Sequence, residues 1–323
     1  GSGSLAMTTT VGQTADLSGV TNSLTGTLTI SDNTGDEAIA GTTGNDIINL
    51  TSGNETVNAN GGTDTINISI SNLTSADNIN GAAGTDSLNL SSSGTLNYGD
   101  LAGVTNVENL NFFSGNDTFQ FTDETSFSST MSKFSAINMG SGTDTVAFSS
   151  TVNADLDFSK LSSLEKLSLS SGADTLNISG DEPTSIYGND GDDQFTLNFS
   201  TVRTLDGGNN TDTVKFTGAT STISADTDFT FGASLTNMEK LDISGLSLNT
   251  SNNNTEFNFT EAMLDAWTGS TTGNLTLSFT SSQVEKIKFT DSSSTVHDSA
   301  ATIVDNTTYT IGNNHLTIDI TDV

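Results

Sequence analysis

Nine acidic residues stand at the same point of one recurring phrase. The phrase is a glycine or asparagine, a threonine or asparagine, an acid, a small polar residue, then alternating apolar positions. It reads GTTGNDIINL (41–50), SGNETVNA (52–59), NGGTDTINIS (60–69), GAAGTDSLNL (81–90), SGNDTFQF (114–121), GSGTDTVAF (140–148), SGADTLNI (171–178), GNDGDDQFTL (188–197) and GGNNTDTVKF (207–216). The acids are Asp46, Glu55, Asp64, Asp86, Asp117, Asp144, Asp174, Asp193 and Asp212. Carboxylates at turns where backbone carbonyls converge are chemistry for a hard divalent cation. The competing chemistry is local. An aspartate caps its own turn and holds no metal, the expectation for Asp117 and Asp174, whose phrases carry a single glycine.

The spacing of the acids dictates what must position them. Asp46 to Glu55 is nine residues and Glu55 to Asp64 nine again; Asp174, Asp193 and Asp212 are nineteen apart; Asp117 to Asp144 is 27, read as three nines. Nine residues make one tight turn and one short strand, and two such units make a coil of about eighteen. A unit of this size cannot bury its apolar face alone, so successive coils must stack. The fold expected is all-β: a parallel β-solenoid or β-roll of short coils, with small helical or loop insertions and capping strands at its ends. Glycine supplies the positive φ the turns require, asparagines at equivalent points of stacked coils can form hydrogen-bonded ladders, and the single proline suits continuous strand ladders.

A second phrase interleaves with the first: VTNVENLNF (104–112), LSSLEKLSL (161–169), LTNMEKLDI (235–243) and SQVEKIKF (282–289). Its glutamates, Glu108, Glu165, Glu239 and Glu285, are expected as salt-bridged or solvated side chains on one solenoid edge. The expected organisation is a cloning scar at 1–7, an N-terminal cap at 8–37, the repeat solenoid at 38–254, last coils with a short helix at 255–290, and a C-terminal cap at 291–323 that doubles as a candidate secretion signal. Residues 122–138 read as a short helix or a loop. Residues 260–268 read as a helix capped by Thr260, with Met263, Leu264 and Trp267 as its apolar face. The tail reads as a hairpin turning at Gly312–Asn314.

Composition narrows the function. The chain has 323 residues, 39 acidic against 8 basic, and a formal charge of -31. Such a surface repels phosphate backbones, which argues against a nucleic-acid partner. No segment approaches the ~20 apolar residues of a membrane helix. With no cysteine, disulfide scaffolds, thiolate metal sites and thiol catalysis are excluded. Serine, threonine, asparagine and glycine supply 165 residues, a bias that suggests disorder until the regular apolar spacing is set beside it.

The glycine–aspartate phrases resemble the nonapeptide of the repeats-in-toxin (RTX) β-roll family, G-G-x-G-x-D-x-U-x, across about 41–216. Gly188–Asn189–Asp190–Gly191–Asp192–Asp193–Gln194–Phe195 matches best, and 41–48 and 81–88 match at the glycine, aspartate and apolar positions. The resemblance implies calcium held by carboxylates and carbonyls of successive turns. Carried over by position, the metal ligands are Asp46, Asp64, Asp86, Asp144, Asp193 and Asp212, helped by Asp190, Asp192 and Asp206, with Asp190, Asp192 and Asp193 as the best single site. Aligned carboxylates repel one another without the ion, so its binding energy becomes folding energy.

Catalysis finds little support. No G-x-S-x-G elbow is present, and the two histidines, His297 and His315, are expected as surface residues without a special role. The chain is therefore expected to be no enzyme. Long acidic, Ser/Thr/Asn-rich, cysteine-free chains with diverged nonapeptides resemble bacterial surface-layer proteins and adhesins exported by type I secretion. The function this implies is a secreted, calcium-stabilised structural protein of the bacterial cell surface that self-associates into a lattice, with surface polysaccharide as a further partner and no membrane insertion. Its rivals are a ligand-binding module of an RTX adhesin, through the 122–138 or 255–275 insertion, and the non-catalytic repeat domain of an exported hydrolase.

Overall fold

The computed structural model describes residues 5–8, 14–16, 28–179, 183–198, 204–219, 235–247, 257–270, 273–298 and 301–321. Most of the expected N-terminal cap (9–13 and 17–27) falls outside them. The chain divides into two compact units, one formed by Gly1–Phe148 with Asp157–Lys166 and the other by Ser149–Leu156 with Leu167–Val323. Each is a parallel β-solenoid.

In the first unit, eight strands stack in the order Leu5–Thr8, Leu28–Ser31, Asp46–Asn49, Thr65–Ile68, Ser87–Leu90, Asn109–Asn111, Ala136–Asn138 and Leu161–Ser162. The segment read as a cloning scar thus contributes a strand in parallel register with Leu28–Ser31. Alternation sends every second side chain inward, and the register places like over like. Ile30, Ile48, Ile66, Leu88, Leu110, Ile137 and Leu161 form one continuous buried column. A second sheet of five strands carries Ala15, Ile39, Val57, Ile79 and Val104 in the same way. Each buried aliphatic contributes ~1.5–3 kcal/mol by leaving water. No coil could supply enough of this alone, so stacking is the condition of folding.

The nine-residue spacing is half a coil. Asp46 opens a strand of the eight-stranded sheet, Glu55 precedes a strand of the five-stranded sheet, and Asp64 returns to the first. The 27 residues from Asp117 to Asp144 are a different matter. They are not three half-coils, because Thr118–Phe121 pairs directly with Thr145–Phe148. They are one coil lengthened by helix α1 (Glu124–Lys133), whose N-cap Asp123 accepts the Ser126 amide at 2.9 Å. Phe127 of α1 packs against Phe121, Phe148 and Phe158, with ring centroids 5.1–5.8 Å apart.

The expected asparagine ladder is present. The Asn67, Asn89 and Asn111 Nδ2 groups donate to Oδ1 of Asn49, Asn67 and Asn89 at 2.8, 3.1 and 2.9 Å.

In the second unit, Leu176, Phe195, Val214, Leu241, Leu277 and Ile318 form the corresponding column. Helix α2 (Glu261–Trp267) is capped by Thr260, which accepts the Met263 amide. Leu264 and Trp267 are buried and Met263 half-buried. The chain ends in an antiparallel hairpin, Thr308–Ile311 with Asn314–Ile320, which turns through Gly312 and Asn313. Among the described residues, no helix is long and apolar enough to cross a membrane.

Candidate metal-binding carboxylate ladder

The phrase acids form ladders along the coils. Each carboxylate accepts the backbone amide of its equivalent one coil earlier. In the first unit the Asp46 amide donates to Asp64 Oδ1 (2.8 Å), the Asp64 amide to Asp86 Oδ1 (2.8 Å) and the Asp86 amide to Glu108 Oε2 (2.7 Å). A second ladder, half a coil away, joins the Glu37 amide to Glu55 Oε2 (3.2 Å) and the Glu55 amide to Asp77 Oδ1 (2.8 Å). A third joins the Gly94, Asp117 and Asp144 amides to Asp117, Asp144 and Glu165. In the second unit the Asp174, Asp193 and Asp212 amides donate to Asp193, Asp212 and Glu239 at 2.7, 2.9 and 2.8 Å. These amides lie at the strand entrances, where a carboxylate takes the place of the carbonyl a regular sheet would offer. Leaving such a buried donor unmatched costs ~1–3 kcal/mol.

The second oxygen of each carboxylate sorts the turns into two kinds. Where the residue four before the acid carries a hydroxyl and a negative φ, the turn closes on the acid: Asp46 Oδ2 accepts the Thr42 amide (2.6 Å) and hydroxyl, and Asp174 Oδ2 the Ser170 amide (3.1 Å) and hydroxyl. Where that residue is left-handed, its amide faces elsewhere. Asn60, Ala82, Gly140, Asn189 and Gly208 have φ of 72°, 71°, 93°, 76° and 102°, and four residues on, Oδ2 of Asp64, Asp86, Asp144, Asp193 and Asp212 is buried without a hydrogen-bond partner. Asp117 Oδ2 shares that state although Phe113 has no positive φ; nothing in its turn explains this.

The glycine five residues before the acid has a steric cause. A Cβ on Gly41, Gly81, Gly188 or Gly207 would lie 2.4–2.7 Å from Oδ2 of Asp46, Asp86, Asp193 or Asp212. Burial makes ionisation unfavourable on these rungs. Desolvation, reinforced by neighbouring carboxylates, pushes Asp64, Asp193 and Asp212 up to about 7. Asp46, Asp86 and Asp144 are also raised, mainly by burial.

Of the nine expected ligands, Asp46, Asp64, Asp86, Asp144, Asp193 and Asp212 are fully buried ladder members. Asp190, Asp192 and Asp206 are not. Exposed Asp190 accepts the Asn209 side-chain amide (2.7 Å), exposed Asp192 the Thr211 backbone amide (2.9 Å), and half-buried Asp206 the Asn237 side-chain amide (2.7 Å). Asp190, Asp192 and Asp193 therefore sit in one turn but do not form a three-carboxylate group of metal-binding spacing. Asp190 and Asp206 instead line an open groove of about 380 Å³ with Tyr187, Asn189, Gly208, Asn209 and Asn237.

Two expectations need correction. Glu108, Glu165 and Glu239 are not solvated edge residues; each is a ladder rung, its longer side chain reaching the amide that aspartate serves elsewhere. The side chain of Glu285 lies outside the described residues. His297 is no surface residue either. It is buried, stacks on Phe289 with centroids 4.8 Å apart, and has both ring nitrogens engaged, by the Thr302 carbonyl (2.6 Å) and Asp291 (3.1 Å). His315 is exposed.

Among the described residues, one group of three carboxylates has oxygens all within 4.8 Å of one another: Asp32, Glu37 and Glu55, all buried. Burial, with the nearby charges of Asp32, Glu37 and Asp77, pushes Glu55 up to about 7. Such a group could hold a metal ion. Sequence reading missed Asp32 and Glu37, although the eighteen-residue step from Glu37 to Glu55 is the coil period already visible between Asp46 and Asp64. No protein-family model, curated protein or solved structure matches this chain.

Proposed function

We propose that this chain is a structural protein of a bacterial surface layer: secreted, without catalytic activity, and stabilised by calcium outside the cell. The observation that carries the reading is the set of buried carboxylate oxygens, repeated along the stack, that the fold leaves without a hydrogen-bond partner at Asp64, Asp86, Asp144, Asp193 and Asp212. Buried polar atoms are normally matched, and a fold of net charge -31 gains most from a divalent counter-ion. Calcium, when bound, would supply positive charge to oxygens that have no hydrogen-bond donor. The chain's own part is to present those oxygens beside left-handed turns, where backbone carbonyls also converge. In low calcium the ionised rungs repel one another and oppose folding, which suits export of an extended chain. Outside, filled turns favour the stacked form, and lateral faces of neighbouring copies then meet in a lattice that surface polysaccharide can anchor.

The test is a calcium titration of chelator-treated protein, followed by far-UV circular dichroism and light scattering. The expected result is a gain of β structure and thermal stability, then growth of ordered assemblies. No change up to tens of millimolar calcium would overturn the proposal.

A second reading, an adhesin module, draws on the groove lined by Tyr187, Asn189, Asp190, Asp206, Asn209 and Asn237. One aromatic face among amides and carboxylates is chemistry for a sugar. Helix α1, in the insertion first suspected, buries Phe127 and Met131 and so turns its apolar side inward. Glycan-array binding abolished by Tyr187→Ala would favour the adhesin.

A further inference from the structure

We propose that Asp32, Glu37 and Glu55, together with the Gly35 carbonyl, form a discrete calcium site in the first unit. The inference deepens the calcium reading above and is testable apart from it. Two independent observations converge. The first is geometric: the three buried carboxylates bring oxygens within 4.8 Å of one another, the separation of two ligands on opposite sides of an ion whose bonds are ~2.3–2.6 Å long. The second is that Glu55, 1% exposed, aims its carboxylate into this group with Oε1 lacking any hydrogen-bond partner, while Oε2 is taken by the Glu37 amide.

The surroundings fit a cation. The space a Cβ on Gly53 would fill is already claimed by the Gly35 carbonyl oxygen, 1.6 Å from that position, and by Glu55 Oε1, 2.6 Å from it. A neutral carbonyl oxygen therefore stands beside the Glu55 carboxylate, and any larger residue at 53 would collide with both. Asp32 is held by the Thr51 amide and hydroxyl at 3.0 and 3.1 Å on Oδ2 and by the Asn33 amide at 2.7 Å on Oδ1, which fixes the carboxylate before an ion arrives. Calcium suits an irregular, carbonyl-bearing, buried site; magnesium, with bonds of ~2.0–2.1 Å and tightly held water, does not. The regular rungs differ. They run in single file, with no third carboxylate at comparable distance among the described residues.

The experiment compares calcium uptake by chelator-treated wild type, Glu55→Gln and Asp32→Asn, using calorimetric titration with CaCl2 and, separately, MgCl2, with circular dichroism to verify folding. Glutamine at 55 keeps an oxygen for the Glu37 amide, and asparagine at 32 keeps one for the Thr51 amide and hydroxyl while giving up the local Asn33 contact. The expected result is one calcium fewer in each variant, or at least a tenfold weaker first site, and magnesium at least tenfold weaker than calcium in wild type. If Glu55→Gln fails to fold, Asp32→Asn carries the comparison. Unchanged uptake in a folded variant overturns this site and leaves the solenoid-wide reading standing. An ion lost in the variants, with no calcium-dependent gain of structure in wild type, upholds the site and overturns the folding role. No uptake by wild type overturns both.

Discussion

The amide of Asp193 donates to Oδ1 of Asp212, 2.9 Å away and nineteen residues later, while Oδ2 of Asp212 meets no donor at all. One carboxylate therefore does two unlike things. One oxygen replaces the missing carbonyl at a strand entrance, and the other is left to whatever positive charge or proton can reach it.

The first role separates two substitutions at Asp193. Asp193→Ala leaves the Asp174 amide buried without its acceptor and should lower stability by about 1–3 kcal/mol. Asp193→Asn keeps an acceptor and deletes a buried charge, so at pH 8 in chelator it should match or exceed wild type. Urea unfolding monitored by circular dichroism gives both values. Equal losses in the two variants would contradict the ladder's hydrogen-bonding role.

The pH dependence has a definite sign. Asp64, Asp193 and Asp212 are raised from the ordinary aspartate value of 3.8 to about 7 in the folded chain. Over that interval the folded state holds more protons than the unfolded one. Their stabilising contribution is complete below 3.8 and is lost as pH rises through about 7. Chelated protein should therefore show a higher urea midpoint at pH 5 than at pH 8, and calcium should narrow the difference. A midpoint that rises from pH 5 to pH 8 in chelator would be the contrary result.

Glycine five residues before an acid is a packing requirement. A Cβ on Gly188 would stand 2.4 Å from Asp193 Oδ2 and 2.2 Å from the Gly207 carbonyl oxygen, whereas one on Gly99 would meet nothing within 4 Å. Gly188→Ala should cost about 1–3 kcal/mol, the usual range for overpacking, and Gly99→Ala close to nothing. Thermal unfolding of the two variants side by side is the check.

Ala82 is the opposite case. Its φ of 71° places an L-residue in the left-handed region, at the turn position that Gly140 and Gly208 fill elsewhere. Left-handed backbone costs a residue with a Cβ about 1–2 kcal/mol, partly offset by glycine's greater freedom when unfolded. Ala82→Gly should raise stability by about 0.5–1 kcal/mol in the same assay, and a loss of stability would show that the Ala82 methyl makes a contact outweighing the strain.

Much of the architecture was legible in the residues because its causes are local. The half-coil of nine follows from one turn and one short strand, as Asp46, Glu55 and Asp64 show. The apolar alternation of Ile48, Ile66 and Leu88 needs only the two-residue period of a strand. Thr260 capping α2, the Gly312 turn and the asparagine ladder from Asn49 to Asn111 likewise follow from side-chain chemistry at fixed short spacing.

What only the tertiary structure decided is which carboxylates share a neighbourhood and which face water. Coils of 18, 19, 22 and 27 residues keep one register, because insertions such as α1 leave the stack between equivalent strands and rejoin it in place. Linear spacing therefore could not mark Glu108, Glu165 and Glu239 as rungs. It could not separate exposed Asp190 and Asp192 from Asp193, three and one residues away and wholly buried. Nor could it bring Asp32 and Glu37 to Glu55, since that meeting depends on one coil lying on the next. Desolvation is a property of the stacked coils, and it alone turns a surface acid into a buried carboxylate with one oxygen matched and one not.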